Sequence, residues 1–277
     1  MTGTIDKNTA AAEAEPFCPA ALTEHYRKMV ADQRPVVQCI TNIVTVNDCA
    51  NALLAAGASP TMAHHPQEMQ DFAEICDALV CNMGATESIE AMLTAAACAH
   101  KMGHPVIIDP VGCAGSPFRR GKCLEVIEEA HPACIRGNGP EILALAQHRN
   151  TGKGVDAAVK KSFQRAELAA AASRLSVETG AIVILSGAVD LLVQGERHYE
   201  VHAGSPWMAR LTGSGCMLSS LLGAFLAAEN SLESAWACCT WMSQCGEAAE
   251  QEAKKRGAGM GTFHILLMDE LSRALKS

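Results

Sequence analysis

The stretch Thr212-Gly213-Ser214-Gly215-Cys216 (TGSGC), followed by an apolar run from Met217 to Ala228, is the most informative part of this 277-residue chain. Two glycines around a serine predict a tight loop, and the apolar run predicts a buried helix that starts directly after it. The first N–H groups of a helix have no partner within the helix, so they form a ready anion-binding site. An anion site with a thiol beside it indicates group transfer to or from an oxyanion, and a phosphoryl group fits best.

Cys216 stands at the positive end of the dipole of this predicted helix. A thiol in that position tends to lose its proton, so we expect Cys216 to have a lowered pKa and to act as a base. The chain has 13 cysteines, an odd number without a CxxC pair, which argues against a disulfide framework or a zinc ribbon. We therefore expect a reducing, cytoplasmic setting.

The net charge, the apolar runs and the composition of the chain exclude several classes of protein. The formal net charge is 22 − 30 = −8, and no clustered basic face indicates nucleic-acid binding. No apolar run reaches the about 18 residues that a membrane span needs. Residues 1–16 have the composition of a disordered tail, and residues 17–277 show no linker, so we expect one domain there.

Short apolar runs alternate with longer helical patterns along the chain. The predicted strands are Val36–Ile40, Ala78–Asn82, Pro105–Asp109, Ala133–Arg136 and Ala181–Leu185, with a hairpin of Asp190–Gln194 and His198–Val201. The predicted helices are Asn47–Ala56, Glu87–Met102, one that ends at Glu129, Pro140–His148, Gln164–Glu178, Cys216–Ala228, Leu232–Glu252 and Thr262–Leu275, with a surface loop at 149–161. This alternation predicts an α/β fold with a mostly parallel central sheet and helices on both faces.

Polar residues follow the predicted strands, and in open parallel sheets ligands bind outside those carboxyl ends. Asp109 and Glu141 are hard oxygen ligands suited to Mg²⁺. Arg136 is suited to nucleotide phosphates, and Asn138 and Glu141 form an Asn-x-x-Glu spacing at a strand-to-helix turn. The amides of the loop that contains Gly215 can hold a transferring phosphoryl group, while Cys216 accepts a proton.

Four longer motifs and one shorter motif resemble hydroxyethylthiazole kinases, a family of the ribokinase-like superfamily. They are TNIVTVNDCANALLAAGASPTM (Thr41–Met62), VIIDPVGCAGSPFR (Val106–Arg119), IRGNGPEI (Ile135–Ile142), LTGSGCM (Leu211–Met217) and GAGMGTF (Gly257–Phe263). Most ribokinase-like enzymes have aspartate at the last position of the Gly-x-Gly-x motif. Thiazole kinases resemble this chain in having cysteine there.

The resemblance implies an ATP- and Mg²⁺-dependent kinase of 4-methyl-5-(2-hydroxyethyl)thiazole in thiamine biosynthesis or salvage. It implies that Met62 and Gly213 contact the thiazole and that Asn47 lies beside it. It further implies Arg136 and Ser186 as ATP ligands, Asp109 and Glu141 as ligands of Mg²⁺ and the phosphates, and Cys216 as the catalytic base. Members of the family are homotrimers with sites between subunits, so residues 41–62 would serve a neighbour's cleft. The chain departs from the common family pattern at Ile43 and in the long loop 149–159.

Other functions use some of the same features. A hydroxymethylpyrimidine kinase or a nucleotide-dependent dehydratase would use the same fold with a different substrate. A cysteine-based acyl transferase would need a histidine partner, and no histidine stands in an obvious position for it. A binding protein for a vitamin precursor would hold the thiazole without releasing ADP.

Overall fold

The computed structural model describes residues 19–151 and 165–273, and the strands in these ranges form one eight-stranded sheet. The strands are β1 (Val36–Ile40), β2 (Ser59–Thr61), β3 (Ala78–Asn82), β4 (Val106–Asp109), β5 (Cys134–Asn138), β6 (Ile182–Ser186), β7 (Asp190–Gln194) and β8 (Arg197–Val201). Their order across the sheet is β2-β1-β3-β4-β5-β6-β7-β8. Strands β1 to β6 are parallel, and β7 and β8 form an antiparallel hairpin at one edge.

Helices cover both faces of the sheet. They are α1 (Pro19–Gln33), α2 (Val46–Ala55), α3 (Met69–Ile75), α4 (Ile89–Met102), α5 (Pro117–Ala130), α6 (Gly139–Thr151), α7 (Arg165–Thr179), α8 (Ser214–Ala228), α9 (Leu232–Lys255) and α10 (Met260–Ser272). The core on one face is built from α1, α2, α8, α9 and α10, and the core on the other from α3 to α7. Every residue of β3 and β4 is buried, as expected for a parallel sheet covered on both sides.

Helix α8 passes unusually close to the sheet at Gly223. A Cβ on Gly223 would lie 2.7 Å from Val37 Cγ1 and 2.9 Å from Val80 Cγ2, so a larger residue would push the helix away from β1 and β3. This close approach fixes the height of α8 above the strands. The amino terminus of α8 therefore sits directly over the carboxyl ends of the neighbouring strands.

The predicted architecture is confirmed, with most boundaries shifted by one to three residues. The sequence patterns missed α1, α3 and the three-residue edge strand β2, whose Ser-Pro-Thr sequence has no apolar run. Strand β5 does not end at Arg136 but continues to Asn138, because it stays paired with β6 as far as Asn138 and Ser186. Helix α6 reaches Thr151, so the loop predicted from residue 149 was wrong at its start.

Two further predictions concern segments outside the described residues. The tail predicted at residues 1–16 lies there, and so do residues 152–161 of the predicted surface loop. Within the described part of the chain, no helix combines the length and the apolar character needed to cross a membrane.

Candidate functional site

The carboxyl ends of three neighbouring strands bring polar side chains together under the amino terminus of α8. Asn42 follows β1, Asn82 is the last residue of β3, and Asp109 is the last residue of β4. Asn82 and Asp109 are register partners in the sheet, so they point the same way. The expected convergence of polar strand ends is therefore present, and the Cys216 sulfur contacts Asn42 and Asn82.

Glycines let the loop before α8 approach its neighbours closely. Gly213 is the N-cap of α8 with φ +88°, and a Cβ there would lie 2.8 Å from Thr45 Cγ2. A Cβ on Gly215 would lie 2.5 Å from Arg136 Nη1. The first turn of α8 thus lies close to Thr45, the N-cap of α2, on one side and close to the Arg136 guanidinium on the other.

The sulfur of Cys216 accepts hydrogen bonds from two asparagine side chains. Asn82 Nδ2 is 3.2 Å from Sγ, and Asn42 Nδ2 is 3.6 Å away. Burial raises the pKa of this thiol, the negative charge of Asp109 raises it further, and the donors Thr45, Asn82 and Asn42 lower it. The expectation of a lowered pKa from the helix dipole was wrong, because dehydration of the buried sulfur outweighs the favourable donors.

Asp109 is a buried carboxylate, and only one of its two oxygens has hydrogen-bond partners. Its Oδ2 accepts hydrogen bonds from Ser219 Oγ at 2.8 Å and Asn82 Nδ2 at 3.2 Å, and it lies 3.9 Å from Arg136 Nη1. Its Oδ1 is buried without a hydrogen-bond partner. Burial raises the pKa of Asp109 to about 6, although Arg136, Ser219 and Asn82 act against the shift.

Glu141 stands in the first turn of α6 and is held by two backbone amides. Gly112 N donates to Oε1 at 2.9 Å and Asn138 N donates to Oε2 at 3.0 Å. Asn138 Oδ1 in turn accepts from Glu141 N at 3.0 Å, which caps the helix reciprocally. The Asn-x-x-Glu spacing therefore has a structural role in placing the carboxylate.

Asp109 and Glu141 fit a magnesium ion of the kind that binds with phosphates. Mg²⁺ is commonly held by one or two carboxylates, several waters and substrate phosphates rather than by a full protein cage. The described residues accordingly contain no cluster of three metal-ligating side chains. The Oδ1 atom of Asp109 has no hydrogen-bond partner, so it could coordinate such an ion.

Arg136 links the strand ends to a cavity of about 530 Å³. Its Nε donates to Ser186 Oγ at 2.9 Å, which fixes the guanidinium at the cavity wall. Ser214 and Gly215 from α8 also line this cavity. The structure therefore brings Arg136, Ser186 and Gly215 to one cavity, and Cys216 follows Gly215 in the first turn of α8.

Met62 and Asn47 lie elsewhere relative to this group. Met62 follows the edge strand β2, which β1 separates from the strands that carry Asn82 and Asp109, and it packs partly buried against the core. Asn47 is exposed in the first turn of α2, where its Oδ1 accepts from Asn51 Nδ2 at 2.9 Å. The structure of one chain does not bring either residue to the sulfur.

Sequence reasoning assigned no role to Ser219 or Thr45, and it placed Asn42 and Asn82 at the strand ends of the cleft without a specific role. Ser219 follows Cys216 by three residues, so both project from one face of α8 toward the strand ends. The three-residue spacing from Cys216 could therefore have identified Ser219 from the sequence. The contact of Thr45 with Gly213 joins residues far apart in sequence and required the three-dimensional arrangement.

Comparison with known proteins gives consistent results over most of the chain. The sequence model of the hydroxyethylthiazole kinase family matches residues 28–276. A hydroxyethylthiazole kinase of Methanobrevibacter smithii is 40% identical over 253 residues, covering 87% of this chain and 88% of that protein. The structure is similar to that of a hydroxyethylthiazole kinase protein from Pyrococcus horikoshii OT3, with a TM-score of 0.82, 33% identity and coverage of 91% and 93%.

A more distant structure shows the fold alone. A ribokinase-like superfamily protein from Enterococcus faecalis V583 has a TM-score of 0.60 at 14% identity, covering 97% of this chain and 99% of that chain. The sheet with helices on both faces is therefore of the ribokinase-like class.

The raised pKa of Asp109 predicts a pH-dependent stability. The folded chain keeps this carboxyl protonated up to about pH 6, whereas the unfolded chain releases the proton near its ordinary value of 3.8, so stability is lost as pH rises between these values. In metal-free buffer, Asp109→Asn should become more stable than the wild type as pH rises from 4 to 8, by on the order of 3 kcal/mol at most.

Urea unfolding at both pH values measures this difference, with exposed Asp32→Asn as the matched control. Equal pH dependence in the wild type and in Asp109→Asn would contradict the assignment of a buried charge.

Proposed function

The chain belongs to the hydroxyethylthiazole kinase family, and we propose that it transfers the γ-phosphoryl group of ATP to the hydroxyl of 4-methyl-5-(2-hydroxyethyl)thiazole, in thiamine biosynthesis or salvage. The observation that carries the proposed mechanism is the position of Cys216. It lies in the first turn of α8, and Asn82 connects its sulfur to the buried carboxylate of Asp109.

ATP is proposed to occupy the 530 Å³ cavity with its phosphates toward α8. Arg136 is held by Ser186 beside Gly215, so its charge is aimed at the loop without further rearrangement. Asn138, at the end of β5, is proposed to bind near the phosphates with its free amide group, since its carbonyl oxygen already caps α6. The amides of the Gly213–Cys216 loop would then stabilise the charge of the group in transfer.

Asp109 and Glu141 are the residues proposed to hold Mg²⁺. When bound, the ion would neutralise phosphate charge and keep the phosphoryl group in line with the acceptor. The chain itself contributes a rigid frame for that site, because Ser219 and Asn82 hold Asp109 while two backbone amides hold Glu141.

Cys216 is proposed to act as the base in its thiolate form. The thiolate takes the proton of the substrate hydroxyl, the substrate oxygen forms a bond to the γ-phosphorus, and the bond from that phosphorus to the bridging oxygen breaks with its electron pair left on ADP. The sulfur, now a thiol, returns its proton to solvent before the next turnover. Because the pKa of Cys216 is raised, only a small part of the enzyme carries the thiolate near neutral pH.

Family membership favours this reaction over the alternatives. The described hydrogen-bond donors to the Cys216 sulfur are Asn82, Asn42 and Thr45, which offers no support for a histidine-assisted acyl transferase. A hydroxymethylpyrimidine kinase, a dehydratase and a binding protein are separated from the proposal by their products. The cysteines in the described ranges are all free thiols, which supports the reducing, cytoplasmic setting proposed for the protein.

Purified protein should release ADP when the thiazole alcohol is added in the presence of Mg²⁺, and excess EDTA should abolish this release. A coupled ADP assay measures both, with hydroxymethylpyrimidine as the control acceptor. ADP release with the pyrimidine but not with the thiazole would contradict the substrate. Thiazole binding without any ADP would indicate the binding protein instead, and ATP-dependent water loss from a hydrated nicotinamide cofactor would indicate the dehydratase.

Substitutions at Cys216 should separate a base from a packing residue. Cys216→Asp should keep or raise kcat, because a carboxylate is ionised at neutral pH, and the acidic limb of its pH profile should lie below that of the wild type. Cys216→Ser should lower kcat by about 10²–10⁴-fold, the usual contribution of a general base. If Cys216→Asp folds normally but has no turnover, the thiol is not the base.

A homotrimer with sites between subunits is proposed as the working form, in which Met62 and Asn47 of one subunit reach the thiazole in a neighbour's site together with Gly213 there. Ile43 and Val44 support it, because these apolar side chains are 85% and 69% exposed beside Asn47 in the single chain.

Light scattering should give about three times the 29.2 kDa mass of the chain. Val44→Asp should lower that mass and raise KM for the thiazole, with exposed Val177→Asp as the control. A wild-type mass equal to that of one chain would contradict the trimer.

A further inference from the structure

We propose that Asn82 is a positioning residue of the phosphoryl-transfer reaction, whose carboxamide ties the Asp109 carboxylate to the Cys216 sulfur and holds that sulfur ready to receive the substrate's proton. The proposal rests on the proposed role of Cys216 as the base. It assigns a task to a side chain that neither the sequence motifs nor the mechanism above requires.

The contacts of Asn82 place it between two groups of different function. Its side chain is 1% exposed at the end of β3. The single Nδ2 atom lies 3.2 Å from Asp109 Oδ2 and 3.2 Å from Cys216 Sγ. Because a carboxamide nitrogen carries two hydrogens, it can donate to both acceptors at the same time.

The orientation of this carboxamide is fixed by the chain itself. Gly84 N donates to Asn82 Oδ1 at 2.9 Å, and Asn42 Nδ2 donates to the same oxygen at 3.3 Å. A flipped carboxamide would place its own N–H groups against both donors and would leave Asp109 and the sulfur facing an oxygen. The donating edge of Asn82 is therefore directed at Asp109 and Cys216.

The lack of a side chain at Gly84 leaves room for the two asparagine side chains. A Cβ at this position would lie 2.7 Å from Asn82 Oδ1 and 3.0 Å from Asn42 Cβ. Any larger residue would displace both asparagines. Gly84→Ala therefore offers a way to move the carboxamide without changing its chemistry.

The surroundings of the sulfur show why a directed donor is needed there. Asp109 on β4 brings a negative charge, which opposes thiolate formation, and Arg136 on β5 lies against Gly215 and pairs with Asp109. Thr45, which caps α2, and Cys49 bring no charge in their usual form. Asp48 of α2 brings a carboxylate near Gly213, and it pairs with His264 of α10 at 3.1 Å. Asn82 places hydrogen-bond donors between the Asp109 carboxylate and the thiolate, which reduces the repulsion between these two groups.

The consequence for the reaction concerns the proton alone. Before the thiolate accepts the hydroxyl proton of the substrate, the Asn82 hydrogen bond holds the sulfur in position and stabilises its negative charge. Bond formation to phosphorus and departure of ADP are unchanged. Removal of the donor should thus affect kcat and its pH dependence, and leave KM for the thiazole and for ATP near the wild-type values.

Asn82→Ala should lower kcat by about 10–100-fold, the range expected for a hydrogen bond to a charged group. The acidic limb of its kcat–pH profile should move upward by about one pH unit. An unshifted limb in the Cys216 protein, or a loss that appears in KM instead of kcat, would overturn the proposal.

A second variant and a second readout distinguish the proposed effect from misfolding of Asn82→Ala. Gly84→Ala should shift the limb in the same direction as Asn82→Ala, whereas Gly121→Ala, at an exposed helical position with open space around it, should leave it unchanged. Iodoacetamide labelling of Cys216 without ATP, followed by mass spectrometry of its peptide, should be slower at pH 8 in both Asn82→Ala and Gly84→Ala. Equal labelling rates in these variants and the wild type would contradict the proposal.

The failure of this proposal can be told from failure of the proposed function. If Cys216→Asp and Cys216→Ser both keep the wild-type pH profile, Cys216 is not the base and both proposals fall. If those variants change the profile and Asn82→Ala does not, only the role of Asn82 is lost.

Discussion

Burial of the Asp109 carboxylate at the end of β4 is the constraint on which the rest of the site depends. A charge that is 1% exposed needs partners, and the structure supplies them from three directions: Asn82 from the adjacent strand, Ser219 from α8 and Arg136 from β5. Two of these partners have a second contact, since Asn82 reaches the Cys216 sulfur and Arg136 reaches Ser186. Ser219 belongs to α8, the helix that carries Cys216. The carboxylate thereby joins α8, the thiol and the central sheet.

The partners do not fully compensate for the cost of burial, because the pKa of Asp109 still rises to about 6. One of its oxygens has no hydrogen-bond partner at all, which is unusual for a buried carboxylate. A site that leaves such an atom open is less stable than it would be with a neutral side chain. The arrangement is understandable if this oxygen serves a cation together with phosphates, since the charge is then matched when the substrates are present.

The fold could be predicted from the sequence to a large extent, because parallel strands buried on both faces leave long apolar runs such as those of β3, β4 and β6. Elements without such runs were missed, as β2 shows with its Ser-Pro-Thr sequence at the sheet edge. The proximity of Asp109, Arg136, Ser186 and Cys216 was predicted from the strand ends, whereas the roles of these residues stay predictions. The state of Cys216 was not predicted, because the rule for thiols at helix amino termini describes exposed sites.

The helix dipole and burial differ in the size of their effects on the pKa of a thiol. A helix dipole contributes about 0.3–1 kcal/mol at an exposed site, which corresponds to less than one pKa unit. Desolvation of a buried group shifts its pKa by up to about 3–5 units, and the charge of Asp109 acts in the same direction on Cys216. The dipole alone therefore cannot produce a reactive thiolate in this position. Directed donors offset part of the cost of desolvation, which explains why asparagine side chains at the ends of β1 and β3 contact the sulfur.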